Sequence, residues 1–197
     1  MELKKNILLD LGGVLIDLNR EALDSAFEKL WVKKAPSASK LEKWELGKLP
    51  ENDFYSMWNA AKWVMKSDID AAWNNLLGEL PQERITLLKK WKKKHNLYLV
   101  SNTNSIHMKE IQARLGIFGW KQFTELFEEI YLSHEVGKRK PNKAFFEHVL
   151  KDADIKAEDC SYIDDTEEHT QAAAKLGIDS YWLDLEKESI LDLGKAR

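Results

Sequence analysis

Short apolar runs that each end in polar residues constrain most strongly how this chain can fold. Four runs stand at 6–9 (NILL), 97–100 (LYLV), 129–132 (EIYL) and 161–163 (SYI), and a fifth is predicted at 180–183. Patterns typical of helices lie between them, at 82–95, 142–151 and 166–176. Strands that alternate with helices predict an α/β fold with a doubly wound, parallel, Rossmann-like sheet. Because ligands bind at the carboxyl ends of such strands, we expect the polar residues after each run to converge on one crevice.

Residues 19–81 interrupt this alternation. They contain no strand-like run, and apolar residues recur at helical spacing, as in 23–31. The pattern predicts an all-helical domain at 19–81, inserted into an α/β core domain formed by 1–18 and 82–197. Five of the eight tryptophans fall in the insert, and we expect them to supply the core of so small a unit. They are Trp31, Trp44, Trp58, Trp63 and Trp73.

Composition excludes several classes of function. The net charge of −3 provides no field that would attract nucleic acid or an anionic membrane. A single cysteine, Cys160, excludes an intrachain disulfide and fits a reducing compartment. The first apolar run is interrupted by Asp10, as an export signal would not be, and no run reaches the roughly 18 apolar residues of a membrane span. We therefore expect a cytoplasmic protein.

The polar segments after the runs carry a family resemblance. They are DLGGVLID at 10–17, VSNTN at 100–104, GKRKP at 137–141 and IDDTEEHTQAAAKLGI at 163–178. In content and order they resemble the four motifs of the haloacid dehalogenase-like (HAD) hydrolase superfamily. The resemblance covers the whole chain, because the helical insert is similar to the cap of the family's phosphatase-like members. It implies a hydrolase whose cap closes over the crevice.

The resemblance implies that Asp10 is the nucleophile and forms an aspartyl-phosphate. In the family, Mg²⁺ is held by this carboxylate, by the backbone carbonyl two residues later, here Gly12, and by an aspartate of the fourth motif. By spacing, Asp165 matches that ligand and Asp164 a position beside it, although the two assignments can be exchanged. His169 stands where many relatives carry a further acidic residue.

The second and third motifs supply the groups that would hold phosphate. Ser101 matches a hydroxyl that hydrogen-bonds the phosphoryl group, and Asn102 adds a neighbouring amide. Lys140 matches the cation that offsets the charge of the nucleophile and the phosphate. Lys138 and Arg139 are expected to be solvated loop charges.

Arg20, at the start of the insert, is a candidate contact for phosphate or sugar oxygens. An exposed arginine at a helix N-terminus is an equally good interpretation. The expected substrate is a small phosphorylated molecule, sugar phosphates included, and the protein is expected to be a monomer or a homodimer.

Gly12 departs from the usual pattern of the family's phosphatases, which carry a second aspartate there as general acid and base. Such assistance is worth about 10² to 10⁴ in rate. The first hypothesis is a Mg²⁺-dependent phosphatase limited to good leaving groups or served by a substitute acid. The alternatives are a weakly active or inactive binding or regulatory protein and a 2-haloacid dehalogenase, against which Gly12 and the paired carboxylates of Asp164 and Asp165 argue.

Overall fold

A five-stranded parallel sheet forms the centre of the computed structural model, which describes residues 2–32 and 35–193. The strands are β1 (Asn6–Leu9), β2 (Asn96–Ser101), β3 (Glu129–Leu132), β4 (Cys160–Asp164) and β5 (Asp179–Trp182). Their order is β3-β2-β1-β4-β5, and every neighbouring pair is parallel. The predicted α/β fold is confirmed, and the fifth strand lies one residue before its predicted place.

Helices connect the strands and cover both faces of the sheet. They are α1 (Arg20–Lys29), α2 (Ala38–Glu45), α3 (Glu51–Met57), α4 (Lys66–Asn74), α5 (Gln82–Trp91), α6 (Ser105–Thr124), α7 (Ser133–Val136), α8 (Lys143–Asp152), α9 (Glu167–Ala174) and α10 (Ile190–Leu193). Helix α6 is broken at Gly116, whose φ of 66° lies in the left-handed region. The helix predicted at 82–95 ends earlier, at Trp91.

The two faces of the sheet are packed against separate hydrophobic clusters. Because successive side chains of a strand point to opposite faces, Ile7 and Leu9 enter one cluster and Leu8 enters the other. Phe145 and Phe146 of α8 are fully buried in the second cluster. Burial on both faces explains why the central runs at 7–9 and 97–100 are apolar, as is typical of parallel sheets, whereas the edge strands β3 and β5 include exposed residues.

Helices α1 to α4 pack around an aromatic cluster of their own. Phe27 stacks on Trp58 with ring centroids 3.7 Å apart, and Trp44 and Trp73 are also buried there. Two expectations for the tryptophans were wrong, since the side chains of residues 31 and 63 are 69% and 75% exposed. Trp31 misses the cluster because α1 ends at Lys29, before the apolar stripe does.

The two segments that lead into and out of the helical insert run side by side. The N–H of Gly78 donates to the carbonyl of Asp17 (2.7 Å), and the N–H of Asp17 donates to the carbonyl of Glu79 (2.9 Å). A Cβ at residue 78 would lie 2.8 Å from that Asp17 oxygen, so only glycine allows this approach. The insert is therefore attached through a paired double connection. Its proposed limits, 19–81, stay a prediction.

Within the described ranges of the chain, no helix combines the length and apolarity needed to cross a membrane.

Candidate active site

Polar residues gather at the carboxyl edge of the sheet, as the parallel topology requires. Asp10 directly follows β1, Ser101 ends β2, and Asp164 ends β4 with Asp165 after it. Strand β1 is in register with both β2 and β4, so that the three strands end side by side. Ser101 and Asp164 are almost completely buried and Asp10 is 8% exposed, which places these groups at the bottom of a crevice.

Lys140 lies between two of the carboxylates. Its fully buried ammonium Nζ is 2.9 Å from Oδ1 of Asp10 and 2.7 Å from Oδ2 of Asp164. Burial alone would lower the pKa of Lys140, but these two carboxylates raise it, so the side chain stays charged. The amide of Asn102 holds the Lys140 backbone: the Lys140 N–H donates to Oδ1 and Nδ2 donates to the Lys140 carbonyl, both at 2.9 Å. The loop before Pro141 is thus joined to the end of β2.

Three carboxylates crowd together at this edge. Asp10, Asp164 and Asp165 each offer an oxygen within 4.8 Å of the others. Burial raises the pKa of Asp10 to about 6; Lys140 opposes this shift, and the two other carboxylates add to it. Burial and the neighbouring Asp164 also raise the pKa of Asp165. Crowded hard oxygen ligands of this kind suit a divalent cation.

The two adjacent aspartates differ in how their oxygens are used. Oδ2 of Asp164 accepts from Nζ of Lys140 and from the hydroxyl of Tyr162, and Oδ1 accepts from the N–H of Thr166 at 2.7 Å. Nδ1 of His169 lies 3.1 Å from both oxygens. Burial would raise the pKa of Asp164, but Lys140 and His169 hold it well below its usual range. Asp164 is therefore surrounded by donors from the protein itself.

The neighbouring Asp165 has weaker contacts. The Thr166 hydroxyl is 3.4 Å from its Oδ1. A Cβ on Gly13, which has a φ of 74°, would come within 2.4 Å of the Asp165 Oδ2. Glycine at this position therefore lets the Asp165 carboxylate lie directly against the loop after β1.

Sequence reasoning missed one residue of the site and left another without a role. Tyr162 lies two residues before Asp164 on the same strand, so both side chains point to the same face. The alternation of side chains along a strand, with a period of two residues, was the signal in the sequence that could have identified Tyr162. Burial and the Asp164 charge raise the pKa of Tyr162 well above its usual value, which keeps the hydroxyl protonated as a donor. His169 supplies a nitrogen to Asp164 in place of the acidic residue that many relatives carry.

Gly12, where the sequence departs from the usual phosphatase pattern, is packed against an apolar side chain. A Cβ at this position would lie 3.3 Å from Cδ1 and 3.4 Å from Cδ2 of Leu18. The place where an acidic side chain would begin is therefore covered by an apolar side chain from the connection to the insert.

A cavity of about 560 Å³ opens beside Asp165, between the loop after β1, the double connection and the segment before α10. The exposed Arg20, the first residue of α1, lines it, and its role as a substrate contact stays a prediction. Asn19 also lines it, but its side chain accepts from the N–H of Ala22 and caps α1. Most of the lining is polar: Asp17, Asn19, Arg20, Glu21, Arg84, Asp165, Glu188 and Ser189.

Arg139 is not the solvated loop charge that the sequence predicts. Its Nε and Nη2 lie 3.0 and 2.9 Å from Oε2 of Glu45, the last residue of α2 in the helical insert. Burial raises the pKa of Glu45, although Arg139 opposes the shift. The insert thus contacts the residue that precedes Lys140.

A carboxylate, a buried lysine and an acidic pair at the carboxyl edge of a parallel sheet define an α/β enzyme. Residues 4–177 match the haloacid dehalogenase-like hydrolase family, and the chain belongs to that family. The matched range contains every residue of the carboxylate and lysine cluster.

Relatives of known activity cover almost the whole chain. It is 24% identical over 188 residues to a D-ribitol-5-phosphate phosphatase of Bacteroides thetaiotaomicron, with 90% of each chain covered. It is 29% identical over 175 residues to the sesquiterpene phosphatase astK of Aspergillus oryzae, with 88% of this chain and 87% of the relative covered.

A similar solved structure is that of a HAD family enzyme from Bacteroides thetaiotaomicron in its magnesium complex. The TM-score is 0.89 at 33% identity, with 98% of this chain and 100% of that chain covered. The same enzyme was also crystallised with magnesium and inorganic phosphate, and that structure matches with a TM-score of 0.82 at 32% identity over 94% of this chain and 96% of that chain.

Proposed function

We propose that this protein is a Mg²⁺-dependent phosphatase that hydrolyses a small phosphorylated metabolite through an aspartyl-phosphate on Asp10. The observation that carries the proposal is the buried ammonium of Lys140, in contact with both Asp10 and Asp164 beside a third carboxylate. A carboxylate nucleophile next to a fixed cation meets the main need of phosphoryl transfer, which is positioning and charge stabilisation. The two relatives that cover almost the whole chain are named as phosphatases.

The donor set fits Mg²⁺. The carboxylates of Asp10 and Asp165 and the backbone carbonyl of Gly12 would hold the ion, because Asp164 is already engaged by Lys140 and other donors of the protein. Hard oxygen ligands from few residues are what Mg²⁺ takes in proteins. When bound, it offsets the negative charge of the carboxylates and of the phosphoryl oxygens.

The proposed reaction has two steps. A carboxylate oxygen of Asp10 attacks phosphorus, a bond from that oxygen to phosphorus forms, and the bond to the leaving oxygen breaks. Ser101 would bind an oxygen of the phosphoryl group, and Lys140 would offset its charge. The side-chain amide of Asn102, expected from the sequence to contact phosphate, is engaged by the Lys140 backbone and would position the lysine instead. Water then attacks phosphorus, and the bond from phosphorus to the Asp10 oxygen breaks, which restores the Asp10 carboxylate. One proton of that water leaves with inorganic phosphate, and the other returns to solvent, which protonated the leaving oxygen in the first step.

Leaving-group protonation is the weak point of this site. Gly12 cannot donate a proton, and Leu18 lies over the place where an acid would begin. Without that assistance, worth about 10² to 10⁴ in rate, turnover should depend steeply on the acidity of the leaving group. An anomeric phosphate, whose leaving oxygen is more acidic than an ordinary alcohol, fits this restriction better.

We further infer that the carbon skeleton of the substrate carries hydroxyl groups. The cavity beside Asp165 is lined by carboxylates, two arginines and a serine, with few apolar side chains. Polar groups of this kind can hydrogen-bond hydroxyls of a substrate. A sugar phosphate is therefore the proposed substrate class, and Arg20 is the candidate contact at the rim.

Phosphate release from a panel of phosphometabolites, with and without Mg²⁺, tests the proposal. We expect Mg²⁺-dependent release by the wild type, none by Asp10→Asn, and wild-type release by the control Asp24→Asn, which removes an exposed carboxylate of α1. Release that Asp10→Asn retains in full would contradict the nucleophile assignment.

The missing acid favours one second candidate, a binding or regulatory protein that has lost turnover. Metal-dependent binding of a sugar phosphate without phosphate release would support that candidate.

A further inference from the structure

The end of α2 lies against the loop that carries Lys140, and the turn after α2 lies against α7, which precedes that loop. A Cβ on Gly47 would be 2.2 Å from the backbone carbonyl oxygen of His134, so the two backbones are in contact there. Beside this contact stands the ion pair of Glu45 and Arg139. The helical insert therefore meets the core at a second place, away from its double connection.

The ion pair has the geometry of a specific contact. Nε and Nη2 of Arg139 both approach one oxygen, Oε2 of Glu45, at 3.0 and 2.9 Å. Each side chain is only 27% exposed, so solvent screens the pair less than it screens a surface pair.

A short covalent path leads from this pair to the reacting groups. Arg139 precedes Lys140, whose backbone is held from the other side by the amide of Asn102. The ammonium of Lys140 must stay within hydrogen-bonding distance of Asp10 to serve the nucleophile. Glu45 from the insert thus holds Arg139, and Asn102, directly after β2, holds the backbone of Lys140.

We propose that Glu45 is a positioning residue for Lys140, acting through Arg139. Through this contact, the catalytic lysine is placed correctly only when the insert lies over the crevice. The site is therefore complete only when the insert is closed. This inference rests on the proposed phosphatase function for its kinetic readout.

Glu45→Gln removes the charge of Glu45 and keeps its size. We expect kcat to fall about tenfold, which corresponds to about 1.4 kcal/mol of transition-state stabilisation. KM should stay within about twofold, because the lost interaction places the lysine rather than binding the substrate. Glu42→Gln on the exposed face of the same helix, and Lys138→Gln on the same loop, are the matched controls and should leave kcat unchanged.

Two further variants separate positioning from other roles. The exchanged pair Glu45→Arg with Arg139→Glu should recover part of the kcat that either single change loses. Gly47→Ala, which pushes the turn away from His134 without changing any charge, should give the same fall in kcat. If the exchanged pair recovers nothing, or if kcat falls only in proportion to the folded fraction, the positioning role is wrong.

A substitute general acid at Glu45 would give a different pattern. Its loss would slow substrates with poor leaving groups far more than those with good ones, whereas a displaced lysine slows both to a similar extent. A strong dependence on the leaving group in Glu45→Gln would therefore overturn the proposal.

Amide hydrogen exchange of the loop at 137–142 tests the contact without any substrate. We expect faster exchange in Glu45→Gln than in the wild type and no change in Glu42→Gln. If the wild type releases no phosphate while the loop responds in this way, the phosphatase function fails and the contact stands. If the wild type is active and both exchange and kcat are unchanged in Glu45→Gln, the positioning inference alone fails.

Discussion

Removal of Lys140 should affect stability as strongly as it affects catalysis. Lys140→Met keeps the approximate length of the side chain but leaves Asp10 and Asp164 buried without the cation that now lies 2.9 and 2.7 Å away. Breaking a buried pair in this way costs about 3 to 5 kcal/mol. At about 2 to 4 °C per kcal/mol for a chain of this size, Tm should fall by about 6 to 20 °C.

The effect should depend on pH with a definite sign. In the wild type, the lowered pKa of Asp164 gives stability at neutral pH that is lost as the pH falls. In the variant that contribution is absent, and both buried carboxylates take up protons at higher pH than in the wild type. The difference in Tm should therefore be larger at about pH 8 than at about pH 5.

Thermal denaturation of metal-free protein at the two pH values measures this difference. Lys143→Met, which removes an exposed lysine paired only with Glu147 on α8, is the control and should change stability by less than about 0.5 kcal/mol. A Tm of Lys140→Met within about 2 °C of the wild type near pH 8 would refute the view that the lysine neutralises two buried carboxylates.

Three further predictions concern the carboxylates and the loop after β1. Because the pKa of Asp10 is raised to about 6, its protonation should weaken Mg²⁺ binding as the pH falls through about 6. Calorimetric titration with Mg²⁺ measures this affinity, and a constant affinity from about pH 5 to 8 would refute the prediction. Asp165→Asn should weaken Mg²⁺ binding at least tenfold with little change in Tm, whereas Asp164→Asn should lower Tm by several degrees; the opposite result would exchange the two assignments. Gly12→Asp alone should gain little turnover, because its Cβ would lie 3.3 Å from Leu18. The double variant Gly12→Asp with Leu18→Ala should hydrolyse substrates with poor leaving groups about tenfold faster or more. Equal rates in the two variants would show that Leu18 does not limit the site.

The sequence predicted the sheet and the convergence of the site because both follow from local patterns. Apolar runs buried on both faces give strands, and parallel strands bring their carboxyl ends to one edge. Asp10, Lys140 and Asp164 therefore meet although they are far apart in the chain. The match of residues 4–177 to the HAD-like hydrolase family confirms the resemblance read from the four motifs.

Contacts between the insert and the core could not be predicted in this way. The partner of Arg139 is Glu45, 94 residues away, and their meeting depends on how the insert is seated rather than on any local period. The exposure of Trp31 has a similar cause, because α1 ends at Lys29 and the periodicity continues beyond the helix. Side-chain partners such as Tyr162 for Asp164 follow from strand alternation, but residue type alone does not single them out.

Transfer of a phosphoryl group to Asp10 is the central claim, and mass spectrometry tests it most directly. The wild type would be mixed with Mg²⁺ and a sugar phosphate that it hydrolyses, quenched in acid within one turnover and digested. We expect the peptide containing Asp10 to carry the added mass of one phosphoryl group, and Asp10→Asn to show no such peptide. Phosphate release by the wild type with no phosphorylated Asp10 peptide at any quench time would contradict the account.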